Sequence, residues 1–156
     1  MNIAGLYVSA GHNYFGRHGQ PAGEHLVIAV TAVECLAGRG LAGDRFLDYK
    51  ADYAGQVTFF AAEVYEEICR DLGVAGRSPA VFRRNVLTRG ADLNALIGEE
   101  FELQGVRFLG TRECSPCHWM DAAFAPGAEA WLKDRGGLRA RILTSGWLKV
   151  DAAPPC

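Results

Sequence analysis

The chain has 156 residues, 49% of them apolar and 22% charged, with a formal net charge of 16 − 18 = −2. This length and composition support one packed domain and exclude wholesale disorder. A near-neutral charge balance argues against a protein that coats nucleic acid, because such binding is driven by a basic surface.

The N-terminal stretch Met1–Ser9 lacks the basic region and long apolar run of a secretory signal. No apolar stretch approaches the ~20 residues that cross a bilayer. A cytoplasmic protein with no membrane partner is expected. The five cysteines (Cys35, Cys69, Cys114, Cys117, Cys156) then read as free thiols or as chemistry, not as a disulfide framework.

Strands dominate the pattern. Ile3–Ser9 alternates as a first strand, and Ala10–Glu24, rich in Gly, His and Asn, reads as a long loop. His25–Val33 is a β-branched run and a second strand. Gly38–Arg45 is punctuated by glycines and predicts sharp turns. Gln56–Phe60 is a further short strand. Ala61–Leu72 is the clearest helix: Ala61, Val64, Tyr65, Ile68 and Leu72 share one face, Glu66 and Arg70 pair at i,i+4, and Gly73 stands where a C-terminal cap belongs. Val81–Thr88 reads as a strand carrying two consecutive arginines. Asp92–Gly98 predicts a helical turn capped by Asp92. Phe101–Leu103 and Val106–Leu109 form a hairpin around Gln104-Gly105. Gly127–Lys133 predicts a second helix, and Arg139–Thr144 with Trp147–Val150 a second hairpin. Residues 1–151 form one domain on this reading, and residues 152–156 a frayed tail. The fold class expected is mostly β with a few helices, a barrel-like and mostly antiparallel β domain.

The segment from Thr111 to Met120 carries Cys114-Ser115-Pro116-Cys117-His118. A structural zinc site needs four ligands, and no second pair accompanies this one. Thioredoxin-like exchange needs a βαβ context that the strands around it do not supply. Two buried small thiols remain the ordinary alternative, but Pro116 and the charged Arg112-Glu113 oppose burial of the whole segment. On a strand, Arg83 and Asn85 share one face and Arg84 and Val86 the other. An inward-facing Arg84 would need an anion or a carboxylate, which makes it the candidate anion ligand, although this stretch alone favours an ordinary salt bridge to one of the eighteen acids. Gly43-Asp44-Arg45 reads as a turn. Gly136-Gly137, before Arg139 and Arg141, is a turn that can also offer N–H groups to a phosphate. His12, His18 and His25 match neither a helix face nor a zinc pair, and are expected at the surface.

Taken in order, these pieces resemble the MOSC domain, the family named after the C-terminal domain of molybdenum cofactor sulfurase. They are Gly43-Asp44-Arg45, Gly55–Glu63, Arg83–Leu93, Leu96–Gly98, Gly110–Cys117 and Gly136–Leu143. The resemblance implies a barrel-like fold of the PK β-barrel type and a pocket for the molybdenum cofactor (molybdopterin). It places the hallmark cysteine, as metal ligand or sulfur carrier, at Cys117, with Cys114 as an assisting thiol. It sets Arg83, Arg84 and Asn85 beside the pocket, and gives Arg45, Thr88, His118 and Arg139 as further cofactor contacts. Larger relatives reduce N-hydroxylated substrates. The pyridoxal phosphate domain of the sulfurases has no counterpart in this chain, so that cofactor is not expected.

A thiolate is a suitable ligand for a soft metal, arginine forks suit a phosphate, and Arg112 and His118 flanking Cys117 favour its ionised form. Three functions follow. The chain is a molybdenum-dependent reductase acting on a small-molecule substrate with a redox partner. Alternatively it carries a persulfide or the cofactor to a molybdoenzyme client, or it binds a small anion without metal.

Overall fold

The computed structural model describes residues 1–153, so the last three positions of the expected tail lie outside the described residues. Ten strands form two sheets. The strands are β1 (Asn2–Val8), β2 (Ile28–Val30), β3 (Ala32–Leu36), β4 (Gly40–Leu41), β5 (Val57–Ala61), β6 (Val86–Arg89), β7 (Glu100–Leu103), β8 (Val106–Glu113), β9 (Leu138–Ile142) and β10 (Gly146–Lys149). Three helices accompany them: α1 (Ala62–Asp71), α2 (Trp119–Ala123) and α3 (Ala128–Trp131). The large sheet runs β2-β1-β6-β5-β9-β8-β7 and the small one β10-β3-β4. None of these helices is long and apolar enough to cross a membrane.

β5 is central, and all five of its residues are buried. A strand covered on both faces needs consecutive apolar residues, and Val57-Thr58-Phe59-Phe60-Ala61 supplies them. Because side chains alternate along a strand, Phe59 and Phe60 enter different cores. Phe59 joins Leu6, Val33, Phe108, Leu138 and Leu148 between the two sheets. Phe60 joins Ile68, Phe82, Met120, Phe124 and Leu132 beneath the helices. Ile68 is the fully buried residue of α1, as the periodicity of that segment predicts.

Four expectations about the strands change. The ladders do not close into a barrel: the large sheet ends at β2 and β7, the small one at β10 and β4. The expected strand His25–Val33 breaks at the exposed Thr31, where the chain leaves one sheet and starts the other. Arg139–Thr144 and Trp147–Val150 do not pair with each other. Leu138, Ala140 and Ile142 need a buried site, which β9 finds between β5 and β8, while β10 pairs with β3. The Ser145 hydroxyl accepts from the Ala37 N–H at 2.9 Å and holds the intervening turn against the small sheet. The hairpin of β7 and β8 forms as predicted, with Gln104 and Gly105 both at positive φ.

Val81–Thr88 is not one strand. Residues Pro79–Phe82 form a 3-10 turn, capped by the Ser78 hydroxyl accepting from the Ala80 N–H at 3.2 Å. Arg83 then adopts a left-handed conformation, φ 57°, and β6 begins only at Val86. This kink frees Arg83 and Arg84 from the strand alternation. β6 pairs antiparallel with β1 and parallel with β5, the two parallel strands being linked through α1.

Asn85 locks this junction. Its Oδ1 accepts from the Thr58 N–H and hydroxyl, each at 3.0 Å, and its Nδ2 donates to the Tyr7 carbonyl at 3.1 Å. Asn85→Ala strands the buried Thr58 N–H and should cost about 2–4 kcal/mol. Thr88→Val removes only a 3.3 Å bond to the Phe60 carbonyl and should cost less than ~1 kcal/mol. Urea unfolding of both variants checks the contrast; equal losses would remove Asn85 from this role.

Candidate functional site

A cavity of about 320 Å³ opens where four irregular segments meet. These are the loop after β1, the turn after β4 with Arg45 and Phe46, the 3-10 turn with Arg83 and Arg84, and the segment Cys114–Met120 between β8 and α2. Arg139 enters from β9.

Four arginines line this cavity, and no aspartate or glutamate does. Asp44, behind the wall and fully buried, is among the described residues the one carboxylate paired with them: its Oδ1 accepts from Arg45 at 3.1 Å. Asp44 also accepts from the Ser9 and Phe46 N–H groups at 3.1 and 3.2 Å, so the turn residue read from the sequence organises the wall. Arg45, with a side chain only 10% exposed, also donates to the Arg83 carbonyl at 3.0 Å and lies over the Phe46 ring. Burial lowers the Arg45 pKa; Asp44 opposes the shift and the Arg84 charge adds to it. Burial, with Arg45 nearby, pushes Arg83 down to about 10, which leaves it charged at neutral pH.

The two consecutive arginines are spent on the protein. Arg83 donates to the Ser9 hydroxyl at 2.8 Å and to the Gly11 and His25 carbonyls at 2.7 and 3.2 Å. Arg84 donates to the carbonyls of Gly136, Phe82 and Cys114 at 3.0, 2.9 and 3.1 Å. The candidate anion ligand Arg84 is therefore first a clamp on the cysteine segment. Arg139 differs: among the described residues its guanidinium makes no hydrogen bond and no ion pair.

Cys114 and Cys117 both line the cavity. Cys114 is buried, its N–H donating to the Gly137 carbonyl at 2.8 Å and its carbonyl held by Arg84. Gly136 and Gly137 allow this approach: a Cβ on Gly136 would strike the Cys114 carbonyl, and one on Gly137 the Phe59 carbonyl. The Gly136 N–H is donated to Glu113, not offered to a phosphate. Cys117 is half-buried and leads into α2, its carbonyl accepting from the Met120 N–H at 2.9 Å. His118 is exposed and also lines the cavity. Among the described residues no group of three His, Cys, Asp or Glu side chains is placed to hold a metal.

Of the residues predicted for the site, Cys114, Cys117, His118, Arg45, Arg84 and Arg139 come together. Asn85 and Thr88 do not: both are buried within the sheet and bonded to neighbouring strands. Arg112 is exposed and does not line the cavity; Arg45 and Arg84 provide the cationic surroundings instead. His12 and His18, read as surface residues, line it as well. Burial and the charge of Arg45 lower the His12 pKa. Aromatic rings complete the walls. His12, Phe15, Phe46, Tyr49 and Tyr53 form one cluster, and Tyr14 stacks on Trp119 with ring centroids 5.2 Å apart. The signal was present: His12-Asn13-Tyr14-Phe15 sits between two glycines, and rings in such a loop must seat on something outside it.

The comparisons with known proteins bear on the fold and the family. The fold is similar to that of the YuaD protein from Bacillus subtilis, with a TM-score of 0.73, 16% identity and coverage of 95% of this chain and 90% of that one. YiiM from Geobacillus stearothermophilus is similar at TM-score 0.67 and 11% identity, covering 95% of this chain and 70% of that one. YiiM from Escherichia coli gives 0.65 and 17%, with 97% and 67% covered. No curated protein matches the chain. A family model described as "MOSC domain" matches residues 17–153, so the chain belongs to the MOSC domain family, which is linked to the molybdenum cofactor.

Proposed function

We propose that the cavity binds a molybdenum cofactor through Cys117 and acts on small N-hydroxylated substrates. The observation that carries this reading is the charge balance: four guanidiniums against one buried carboxylate, around a half-buried thiol. The residues fit such a group. A thiolate suits a soft metal, the unengaged Arg139 suits a phosphate, and ring faces suit a flat pterin. The volume of about 320 Å³ lies at the lower end of the range for small-molecule pockets. When bound, the cofactor would supply two-electron redox chemistry at the metal.

The chain's own residues have separable tasks. Cys117 provides the ligand atom. Arg84 positions the cysteine segment by tying it to Gly136. Arg139 and the remaining N–H groups of Arg45 would neutralise the phosphate. Tyr14, His118 and Trp119 wall off the mouth and limit water. Converting N–OH to N–H consumes two electrons and two protons and releases water, so a separate electron donor is a required partner. A half-buried thiol inside a cavity favours small reactants over a sulfur-accepting client protein.

Protein produced in a host that makes the cofactor should contain molybdenum and pterin, measured by elemental analysis and by fluorescence of the oxidised pterin. Cys117→Ser should lose both, and Cys114→Ser should keep most of both. The opposite pattern would move the ligand to Cys114. A single extra sulfur on Cys117 without molybdenum would favour the carrier reading.

The arginines should separate by assay. Arg84→Lys cannot reach three carbonyls with one ammonium, and should lose about 1–3 kcal/mol of stability together with cofactor retention. Arg139→Gln should change stability by less than ~0.5 kcal/mol while lowering pterin content. If Arg139→Gln retains the parent's pterin, it does not hold the phosphate.

A further inference from the structure

We propose that residues 12–24 are a flap that lifts as one body and decides which class of reactant reaches Cys117. Small molecules pass when it is down, as it stands in this structure, and a thiol on another protein reaches Cys117 only when it is up. This inference rests on Cys117 being the thiol at work, but not on the metal it binds.

The hydrogen bonds separate the flap from the body. Asn13 closes its neck: Nδ2 donates to the His25 carbonyl at 2.9 Å, Oδ1 accepts from the His25 N–H at 2.8 Å, and its carbonyl accepts from the Gly23 N–H at 2.8 Å. Inside, the N–H groups of Arg17 and Gln20 donate to the carbonyls of Tyr14 and Arg17, and the Arg17 Nε donates to the His12 carbonyl. Among the described residues, no hydrogen bond of residues 12–24 reaches beyond His25. The flap therefore keeps its internal structure whether or not it touches the body.

Its two feet are fixed. Arg83 donates to the carbonyls of both Gly11 and His25, on either side of the neck. Between them the flap rests on ring faces: the Arg83 guanidinium lies over the Tyr14 ring at 5.9 Å, and the other contacts are ring to ring. Tyr14 stacks on Trp119, two residues beyond Cys117, at 5.2 Å and 22°. His12 and Phe15 meet Phe46 at 4.9 and 5.6 Å, and His18 meets His118 at 6.3 Å. Ring contacts are modest individually and have no strict donor–acceptor geometry, so they can part together and re-form. A preassembled loop on two pinned feet, seated on ring faces without hydrogen bonds among the described residues, has the construction of a hinged lid. Tyr14 and Phe15 also line the cavity that Cys117 lines, so closure completes its wall.

The test is the labelling of Cys117 in protein made without molybdenum cofactor, with sites located by peptide mass mapping. Iodoacetamide serves as the small reagent, and a maleimide on a long polyethylene glycol chain as the bulky one. Both rates are divided by those for free glutathione. In the parent the bulky reagent should lag the small one at Cys117. Tyr14→Ala and Trp119→Ala, which remove the stack from opposite sides, should each raise the bulky rate about five- to tenfold, with the small-reagent rate changing less than about twofold. Tyr14→Phe keeps the ring and should match the parent. Unchanged bulky labelling in both alanine variants would overturn the flap. So would equal rises for both reagents, which mean loosening of the cysteine segment itself. Because molybdenum retention in Cys117→Ser is a separate assay, failure of the flap and failure of the cofactor reading can be told apart.

Discussion

Two neighbouring guanidiniums hold this site together. The left-handed backbone of Arg83 ends a 3-10 turn and sends Arg83 and Arg84 in different directions. Arg83 gathers the feet of the loop after β1, and Arg84 ties the cysteine segment to the glycine pair before β9. Their six hydrogen bonds all end on protein acceptors, five of them backbone carbonyls. Irregular loops carry backbone carbonyls that no ladder satisfies, and a planar fork of N–H donors can satisfy several at once. Loss of either fork would leave buried acceptors and a cavity without fixed walls.

Concentrated positive charge is the consequence. Arg45, Arg83, Arg84 and Arg139 face one small volume, and Asp44 balances a single charge among them. Burial and mutual repulsion lower the pKa of both Arg45 and Arg83. An anionic ligand would relieve that repulsion and so contribute to stability when bound. The same arrangement explains why so many rings are present. Aromatic faces can lie beside a guanidinium at little desolvation cost, as Arg45 over Phe46 and Arg83 over Tyr14 do.

The sheet supplies the rigid frame for these loops. β5 and β6 run parallel, and the Asn85 side chain bridges Thr58 on β5 and Tyr7 on β1 just below the cavity. Gly137 permits β9 to begin directly against the Phe59 carbonyl, which carries Arg139 to the cavity wall. Arg139 therefore stands on a strand, and the cysteine segment is clamped to the turn before one.

Local signals in the sequence located the elements whose cause is local. The apolar period of Ala61–Leu72 predicts α1, since one face must find a core, and Gln104-Gly105 predicts its hairpin through the left-handed turn it requires. The resemblance carried by the order of motifs grouped Cys114, Cys117, His118, Arg45, Arg84 and Arg139, which line one cavity, with Asn85 and Thr88, which lie buried in the sheet. Partnership was not legible. Whether an arginine serves a ligand or a carbonyl depends on what folds beside it: Arg84 meets Gly136, Phe82 and Cys114, while Arg139 meets no acceptor among the described residues. Nor could residue pattern tell that Leu138–Ile142 would leave its neighbour in sequence for β5 and β8, or that the histidines and rings of the first loop would roof the cavity. Those outcomes belong to tertiary structure because pairing and burial are settled between segments distant along the chain, where no local propensity reaches.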